Sequence, residues 1–383
     1  MKPLIRSLCL AAVSLSIAGP ASADVPAPPT IEAKSYVLFD FASGQVLADF
    51  NSDQRVEPAS ITKIMTSYVT FDELKKGNIS GNDDVLISEK AWRTPGSRTF
   101  VEVGKTVKLS DLEQGSIVQS GNDATVAIAE HIAGDESVFA QLMNKHAAAL
   151  GMKGTNYENA TGLPSPNHYT TAHDVALLSQ ALIRDFPDGY KMFSEREFTF
   201  GHSSQIRQGN RNLLLDMDPG ADGIKTGHTE AAGYCLAGSS VRDGRRLIAV
   251  VMGTAGTRQR AQAAKTLLDY GFRFYENASF FGAGKPAGDV RVWKGATDRL
   301  QYGLPEAIVL ALPRGTAGNV QVTTQLDPNP LIAPLAAGHV VGSATLTVDG
   351  KAVRTVQLVA LQAIEPGGFF VRLVDTIRLW LGI

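Results

Sequence analysis

The sequence is poor in cysteine, in net charge and in metal-ligand motifs, and each shortage excludes a class of protein. It holds two cysteines, Cys9 and Cys235. Cys9 falls in an N-terminal segment that we expect to be removed, so no internal disulfide is expected. Cys235 lies in an apolar run and is expected to be a buried small side chain. The formal net charge is −2, which gives nucleic-acid binding no electrostatic support. The seven histidines show no H-E-x-x-H spacing, so neither a metal nor a cofactor is expected.

Residues 1–23 are predicted to be a signal peptide. Lys2 and Arg6 form a positive start, residues 8–18 are an apolar run, and residues 21–23 (Ala-Ser-Ala) fit a cleavage site. The alternative is an N-terminal membrane anchor, but the apolar run is too short to span a bilayer comfortably. The protein is therefore expected to be exported.

The chain after residue 23 is long enough for two domains. The full sequence has 44% hydrophobic and 19% charged residues, which is typical of globular proteins. Residues 24–281 alternate strand and helix patterns and are predicted to form an antiparallel sheet flanked by helices. They include an apolar helix from about Pro58 to Lys76, a helix capped by Ser110, and a strand-like segment at 212–215. A Gly/Pro/Lys linker at 282–288 leads into short strands, which predict a small all-β domain over 282–363.

The last segment, residues 364–383, is predicted to be an amphipathic helix. Apolar residues recur on one helical face, while polar residues lie opposite: Phe370, Leu373, Val374, Ile377 and Leu381 against Arg372, Asp375 and Thr376. The segment is too short and too charged to cross a bilayer, so we expect it to lie in the membrane interface. The alternative is a terminal helix docked on its own β-domain.

The candidate chemistry begins at residues 58–66 (PASITKIMT). Ser60 and Lys63 are three residues apart, so on a helix their side chains share one face. A serine needs a neighbouring base to act as a nucleophile, and a lysine can serve if its pKa is lowered. Ser-x-x-Lys alone is a weak signal, because it also occurs in ordinary capped helices.

Two later stretches supply possible partners for this pair. Residues 119–123 (QSGND) place Ser120 and Asn122 on a loop ahead of a helix, and residues 222–228 (DGIKTGH) place Lys225 at a strand that leads into a hairpin. Each stretch is weak alone, since Ser-Gly-Asn is common in turns. In this order, on helix, loop and strand, the three form a set described for penicillin-binding proteins and class A β-lactamases.

With residues 206–212 (IRQGNRN) and 231–234 (AAGY), these motifs resemble those of the D-alanyl-D-alanine carboxypeptidases, the low-molecular-mass penicillin-binding proteins of bacteria. The resemblance covers nearly all of the mature chain. It implies a catalytic domain of the β-lactamase/transpeptidase type, followed by the β-domain and the amphipathic tail. It also implies hydrolysis of peptidoglycan stem peptides that end in D-Ala-D-Ala, covalent binding of β-lactams, and a place on the periplasmic face of the inner membrane.

The resemblance assigns a role to each site residue. Ser60 is the expected nucleophile, Lys63 its proton acceptor and Ser120 a proton relay. We expect burial and the nearby Lys225 to lower the pKa of Lys63. Asn122 would contact the substrate's backbone amide, Lys225 and Thr226 would hold its terminal carboxylate, and Gly227 would let its backbone approach closely. Arg211 would support the carboxylate pocket. The expected substrate-binding residues are Asn122, Lys225, Thr226, Gly227, His228 and Arg211. The backbone N–H groups of Ser60 and His228 would form the oxyanion hole. The His228 side chain has no assigned role, and a surface salt bridge is an equal alternative for Arg211.

Three rival functions stay open on the sequence alone. A β-lactamase would share the acylation step, but Glu158 lacks the E-x-x-L-N surroundings of a deacylating glutamate and is expected to be a loop residue. An endopeptidase could use the same acyl-serine site on cross-linked peptides. A non-catalytic wall-binding protein is opposed by the complete set of catalytic residue types.

Overall fold

The computed structural model describes residues 25–201 and 205–382. The predicted signal peptide, residues 1–23, lies outside the described residues. The helices are α1 (Lys63–Lys76), α2 (Glu89–Arg93), α3 (Leu109–Gln114), α4 (Asn122–Ala133), α5 (Glu136–Ala149), α6 (Ala172–Asp185), α7 (Pro187–Tyr190), α8 (Leu214–Met217), α9 (Thr257–Phe274) and α10 (Phe369–Leu381). The strands are β1 (Ser35–Asp40), β2 (Val46–Phe50), β3 (Asp84–Leu86), β4 (Thr106–Lys108), β5 (Glu197–Phe200), β6 (Ile206–Gly209), β7 (Ala221–Thr229), β8 (Gly233–Arg242), β9 (Arg245–Thr254), β10 (Tyr275–Phe280), β11 (Pro286–Trp293), β12 (Arg299–Gly303), β13 (Ile308–Pro313), β14 (Val320–Leu326), β15 (Leu331–Ile332), β16 (Val340–Val348) and β17 (Lys351–Ala360).

The first unit is built on a five-stranded antiparallel sheet in the order β2-β1-β9-β8-β7. Successive side chains of a strand point to opposite faces, so a sheet covered on both sides needs apolar residues at every position. In β1, Val37 and Phe39 join a core with α1, α5 and α6, whereas Tyr36 and Leu38 join a second core against α9. The predicted antiparallel sheet flanked by helices is confirmed.

Helix α1 runs through the middle of the first core. Its residues from Lys63 to Phe71 are all buried, as the apolar pattern on most sides of the helix predicts. It ends at Gly77, whose φ of 75° forms a left-handed cap. A buried helix of this kind gives the residues at its start a rigid support.

The second unit is an all-β domain with its own core. Strand β10 follows α9 directly and pairs with β13, and a six-stranded sheet has the order β14-β16-β17-β12-β11-β15. The pairing of β10 favours a division between the two units near residue 275, whereas the linker composition places it at 282.

Hydrogen bonds join the second unit to the turn at residues 40–45 of the first. Asn277 Nδ2 donates to Asp40 Oδ1 at 3.2 Å. The backbone N–H of Ala311 donates to Gln45 Oε1 at 2.8 Å, and Arg354 Nη1 donates to the Ser43 carbonyl at 3.2 Å. One turn of the first unit is thus held by three separate segments of the second.

Two local predictions are wrong. The segment at 212–215 is not a strand, because Asn212 Oδ1 accepts the Leu214 N–H at 3.1 Å and starts the single helical turn of α8. Helix α3 begins at Leu109 after Lys108 and has no side-chain cap, so Ser110 lies inside the helix.

The terminal helix α10 is confirmed as a helix with an apolar exposed side. Phe370 is 78% exposed and Trp380 82%. Asp375 is its one buried residue among those described, and its Oδ2 accepts the Lys294 N–H at 2.6 Å. Across residues 25–201 and 205–382, no helix combines the length and apolar character needed to cross a membrane.

Candidate active site

The three sequence motifs meet at one cavity of about 680 Å³. The start of α1, the loop before α4 and strand β7 each contribute to its wall. The lining includes these site residues predicted from sequence: Ser60, Ser120, Asn122, Arg211, Thr226, Gly227 and His228. Lys63 and Lys225 lie behind this wall and are both buried. The fold therefore brings together residues that are far apart in the sequence.

Ser60 sits on a tight 3₁₀ turn, residues 59–62, that precedes α1. Ala59 adopts the left-handed conformation with φ of 48°, which is unfavourable for a residue with a side chain. Two glycines allow other segments to press on this turn. A Cβ on Gly162 would lie 1.7 Å from the Ala59 carbonyl oxygen, and one on Gly227 would lie 2.9 Å from that of Pro58. The glycine at 227 thus serves the contact between β7 and the nucleophile turn, a reason that the sequence does not reveal.

Lys63 is in contact with Ser60 and is completely buried. Its Nζ lies 3.1 Å from Ser60 Oγ, 2.6 Å from Asn122 Oδ1 and 2.8 Å from the Thr161 carbonyl oxygen. Burial, followed by the charge of Arg211, lowers the pKa of Lys63 to about 7, while Asp123 and Glu136 oppose the change. The neighbouring charge expected from the sequence is Lys225, whereas the leading charge in the structure is that of Arg211.

These contacts suit a lysine that accepts a proton. A neutral amine keeps two N–H donors and one lone pair. Asn122 Oδ1 and the Thr161 carbonyl can only accept hydrogen bonds, so they take the two donors. The lone pair is then left for the hydroxyl of Ser60, which becomes the donor in this pair.

Ser120 and Asn122 reach the cavity from the loop before α4. Ser120 has φ of 68°, and its buried Oγ has no hydrogen-bond partner within the described parts of the chain. Asn122 is engaged at both ends: Oδ1 accepts from Lys63, and Nδ2 donates to the Pro95 carbonyl at 2.6 Å. One N–H of the Asn122 amide is left for a substrate. Among the residues described, the catalytic contact of Asn122 is the one with Lys63.

Strand β7 carries the cationic side of the site. Burial, followed by the charges of Lys63, Arg211 and Arg260, lowers the pKa of Lys225 well below its usual value. His228 is exposed, and its ring stacks on that of Tyr234 with 4.0 Å between ring centroids. The His228 side chain, which has no role assigned from the sequence, thus forms an aromatic part of the cavity wall together with Tyr234.

Arg260, in the first turns of α9, is a site residue that the sequence does not predict. Its side chain lines the cavity although the residue is only 4% exposed. Nη1 donates to the Gly227 carbonyl at 3.0 Å, and no carboxylate forms a salt bridge with this guanidinium within residues 25–201 and 205–382. Burial lowers the pKa of Arg260 to about 10. No motif marks this arginine, because its helix has an ordinary amphipathic pattern.

Four cationic side chains therefore surround one side of the site: Lys63, Lys225, Arg211 and Arg260. Their mutual repulsion is visible in the pKa of Lys225, which the other three all lower. Arg211 Nη1 also donates to Ser97 Oγ at 2.9 Å, so it is held at the cavity without an ion pair among the described residues. A bound carboxylate would relieve this repulsion.

Glu158 is placed as a loop residue. Its carboxylate accepts hydrogen bonds from Ser165 Oγ, from the Asn167 N–H at 3.0 Å and from Asn167 Nδ2 at 3.3 Å. These contacts hold the carboxylate within the loop, and the side chain is absent from the cavity lining. The geometry thus gives no support to a β-lactamase with Glu158 as its deacylating base.

Comparison with known proteins adds independent evidence. A family model described as D-alanyl-D-alanine carboxypeptidase matches residues 22–256, and one described as penicillin-binding protein 5, C-terminal domain, matches residues 275–366. The chain is 41% identical over 392 residues to D-alanyl-D-alanine carboxypeptidase DacA of Escherichia coli K12, covering 99% of this chain and 96% of that protein.

Two solved structures show the same fold. The crystal structure of penicillin-binding protein 5 from Haemophilus influenzae superposes with a TM-score of 0.84 at 40% identity, over 88% of this chain and 99% of that one. Penicillin-binding protein D2 from Listeria monocytogenes, in its ampicillin-bound form, gives a TM-score of 0.58 at 26% identity, over 64% of this chain and 98% of that one.

Proposed function

Because this chain belongs to the family of D-alanyl-D-alanine carboxypeptidases, we propose that it removes the terminal D-alanine from peptidoglycan stem pentapeptides through an acyl-enzyme on Ser60. The observation that carries the proposal is the pair Ser60–Lys63. Its two side-chain atoms lie 3.1 Å apart, and burial lowers the pKa of the base to about 7. At neutral pH a substantial fraction of the Lys63 side chains is then neutral and free to accept a proton.

In the acylation step, Ser60 Oγ forms a bond to the penultimate carbonyl carbon and gives its proton to Lys63. The backbone N–H groups of Ser60 and His228 stabilise the oxyanion. The C–N bond to the last D-alanine then breaks, and the leaving nitrogen takes a proton through Ser120. The support for this relay is the buried hydroxyl of Ser120, which faces the cavity without a partner within the described residues. Water hydrolyses the ester and restores Ser60.

The cationic side chains on one side of the site would bind a terminal carboxylate. Lys225, Thr226 and Arg260 supply charge and hydrogen-bond donors, and Arg211 adds charge from the rim. A carboxylate that accepts charge-assisted hydrogen bonds is held more strongly than a neutral group. The site is thus matched to a substrate that ends in a free carboxylate, which favours a carboxypeptidase over an endopeptidase acting inside a peptide.

A β-lactam would acylate the same serine. The ampicillin-bound form of the Listeria relative supports this for a protein of the same fold. We also propose that the protein is exported to the periplasm and held at the inner membrane by α10, on the basis of the N-terminal sequence and the exposed apolar side of that helix.

The central test is intact-protein mass spectrometry after incubation with benzylpenicillin. The wild type should gain the mass of one penicilloyl group, and Ser60→Ala should gain none. Ser67→Ala is a matched control, since Ser67 is a buried serine on the same helix, and its adduct should form as in the wild type. An adduct that persists in Ser60→Ala would refute the proposal.

Substrate preference needs a second measurement. A pentapeptide ending in D-Ala-D-Ala should release free D-alanine, whereas a cross-linked dimer should be cleaved much more slowly. Faster cleavage of the dimer would favour the endopeptidase alternative. Rapid turnover of benzylpenicillin that is lost in Glu158→Gln would favour the β-lactamase alternative.

A further inference from the structure

The loop between α5 and α6 contacts the start of α1 at several points. Thr66 Oγ1 donates to the Ala160 carbonyl at 2.7 Å, and Lys63 Nζ lies 2.8 Å from the Thr161 carbonyl oxygen. Farther along, Thr62 Oγ1 lies 2.9 Å from His168 Nε2. We call residues 158–168 the covering loop. It supplies one of the acceptors that orient Lys63, and it closes over the buried amine.

Within the described part of the chain, His168 is the one side chain of the covering loop that forms a hydrogen bond to the Ser60–Lys63 turn from a buried position. It is 3% exposed, and the mechanism above gives it no role. Its Nδ1 accepts the backbone N–H of Glu158 at 3.1 Å. Since Nδ1 is an acceptor, the ring proton of a neutral histidine is on Nε2. Nε2–H therefore donates to Thr62 Oγ1.

The ring stays neutral under working conditions. Burial and the charge of Lys63 lower the pKa of His168 to about 4, and the charge of Glu158 opposes this change. The ring also meets Tyr157 edge-on, with 5.7 Å between ring centroids. One neutral ring thus ties the two ends of the covering loop, at Glu158 and at His168, to Thr62 beside the base.

We propose that His168 is a positioning residue for Lys63: through its hydrogen bond to Thr62 it holds the covering loop closed over the Lys63 amine. The proposal rests on the function proposed for Ser60 and Lys63. It assigns the low basicity of Lys63 partly to a side chain that does not touch it.

The direction of the effect follows from what makes Lys63 a weak base. Burial is the largest cause of its lowered pKa. If the covering loop lifts, water reaches the amine and favours its charged form. Loss of the Thr161 acceptor acts the other way, but it is the smaller effect because water replaces that hydrogen bond. Cutting the Thr62–His168 bond should therefore make Lys63 more basic.

The test is the rate of acylation by benzylpenicillin as a function of pH, measured on the full chain. His168→Phe keeps a ring and removes both nitrogens. We expect a loss of about tenfold at pH 7 that disappears by about pH 10, because a loss of that size corresponds to a Lys63 pKa that is still well below 10. His168→Gln offers an amide N–H near the position of Nε2 and should recover part of the wild-type profile.

The same bond can be cut from its other end. Thr62→Val should displace the pH profile as His168→Phe does, Thr62→Ser should not, and the double variant His168→Phe with Thr62→Val should be no worse than either single change. These variants keep the proposal testable if His168→Phe fails to fold. His173→Phe is a matched control on a histidine that is 35% exposed, and its profile should equal that of the wild type.

Two outcomes would overturn the proposal. One is an equal loss in His168→Phe at every pH, which would mean that the ring only stabilises the fold. The other is an unchanged profile in both His168→Phe and Thr62→Val. Either outcome is distinct from failure of the proposed function, which would show as no penicilloyl adduct in the wild type.

Discussion

The basicity of one buried lysine decides the pH at which this site works. Burial and, after it, the charge of Arg211 lower the pKa of Lys63 to about 7. Because only the neutral amine can accept the Ser60 proton, acylation should rise with pH through about 7. Removing a nearby cation makes the charged lysine more favourable, so Arg211→Gln should move this rise to higher pH. Since Arg211 is exposed, we expect a displacement of roughly half a pH unit.

Two controls accompany this prediction. Arg211→Lys keeps the charge and should leave the rise near its wild-type pH. High salt screens an exposed charge, so it should move the wild-type profile toward that of Arg211→Gln and change the variant little. A displacement to lower pH in Arg211→Gln would contradict the electrostatic account of the base.

Arg260 should take part in binding the substrate. As a buried cation without a carboxylate partner in the described residues, it should contact the terminal carboxylate of the substrate. Charge-assisted hydrogen bonds contribute about 1.5–3 kcal/mol, so Arg260→Met should raise KM for a D-Ala-D-Ala peptide by about 10- to 150-fold. The measurement is KM on the free acid and on the same peptide with a C-terminal amide.

The amide substrate separates recognition from structure. Arg260 also donates to the Gly227 carbonyl, and its removal leaves that acceptor without the bond. If Arg260→Met harms the free acid and the amide equally, the arginine supports β7 and does not bind the carboxylate. Arg260→Lys, which keeps the charge, should lie between the wild type and Arg260→Met.

How much of the site is predictable depends on how locally each residue is encoded. Ser60, Lys63, Ser120 and Lys225 lie in short motifs whose spacing implies chemistry. The fold brings the two serines to one cavity and buries the two lysines behind its wall. Arg260 and His168 have no such motif, and only the packing of α9 and of the covering loop brings them to the site. For Gly227 the sequence predicts close approach of a substrate, whereas the structure shows close contact with the Pro58 carbonyl.

At the scale of elements, tight contacts between segments depend on single glycines. Gly162 has φ of 83°, and a Cβ there would lie 1.7 Å from the Ala59 carbonyl oxygen. Gly151 has φ of 77°, but a Cβ there would meet nothing within 4 Å. An alanine at either position would have a strained backbone because φ is positive, but only the Cβ at 162 would clash with another segment. Gly151→Ala should therefore cost about 1 kcal/mol of unfolding free energy and leave penicillin acylation unchanged.

Gly162→Ala adds the clash, so the covering loop must move away from the nucleophile turn. We expect acylation to fall by more than about tenfold, because small displacements of a catalytic group have large effects on rate. Thermal unfolding and acylation rates of the two variants are the measurements. Equal acylation in both variants would mean that the covering loop is not needed for the position of Ser60.

Regular elements were predictable from periodicity, whereas the irregular ones were not. Helices α4, α6 and α9 lie close to where their patterns place them, since long amphipathic segments carry a strong signal. The 3₁₀ turn at 59–62 and the helical turn of α8 have no periodic signal. They arise from contacts with β7 and from the hydrogen bond of the Asn212 side chain, which are tertiary and local effects that a pattern does not carry.

At the scale of the whole molecule, α10 is linked to the active-site domain through the β-domain. Asp375 fixes the polar side of the helix to the end of β11 through the Lys294 N–H. The β-domain in turn is hydrogen-bonded to the turn at residues 40–45 of the first unit. A membrane bound by α10 would therefore set the distance and orientation of the Ser60 cavity relative to the lipid surface.

Two neighbouring positions on α10 give the sharpest test of this arrangement. Ile377 is 49% exposed on the apolar side, whereas Thr376 lies on the polar side, where its Oγ1 donates to the Arg372 carbonyl at 2.6 Å. Binding of an amphipathic helix to an interface depends on its buried apolar area, so Ile377→Asp should abolish cosedimentation with phospholipid vesicles, while Thr376→Asp should retain most of it. Truncation after Ala363 should also abolish it. Because Ser60 lies in the other unit, all three variants should form the penicilloyl adduct at the wild-type rate. Equal binding by Ile377→Asp and Thr376→Asp would instead favour a helix whose exposed side has no contact with lipid.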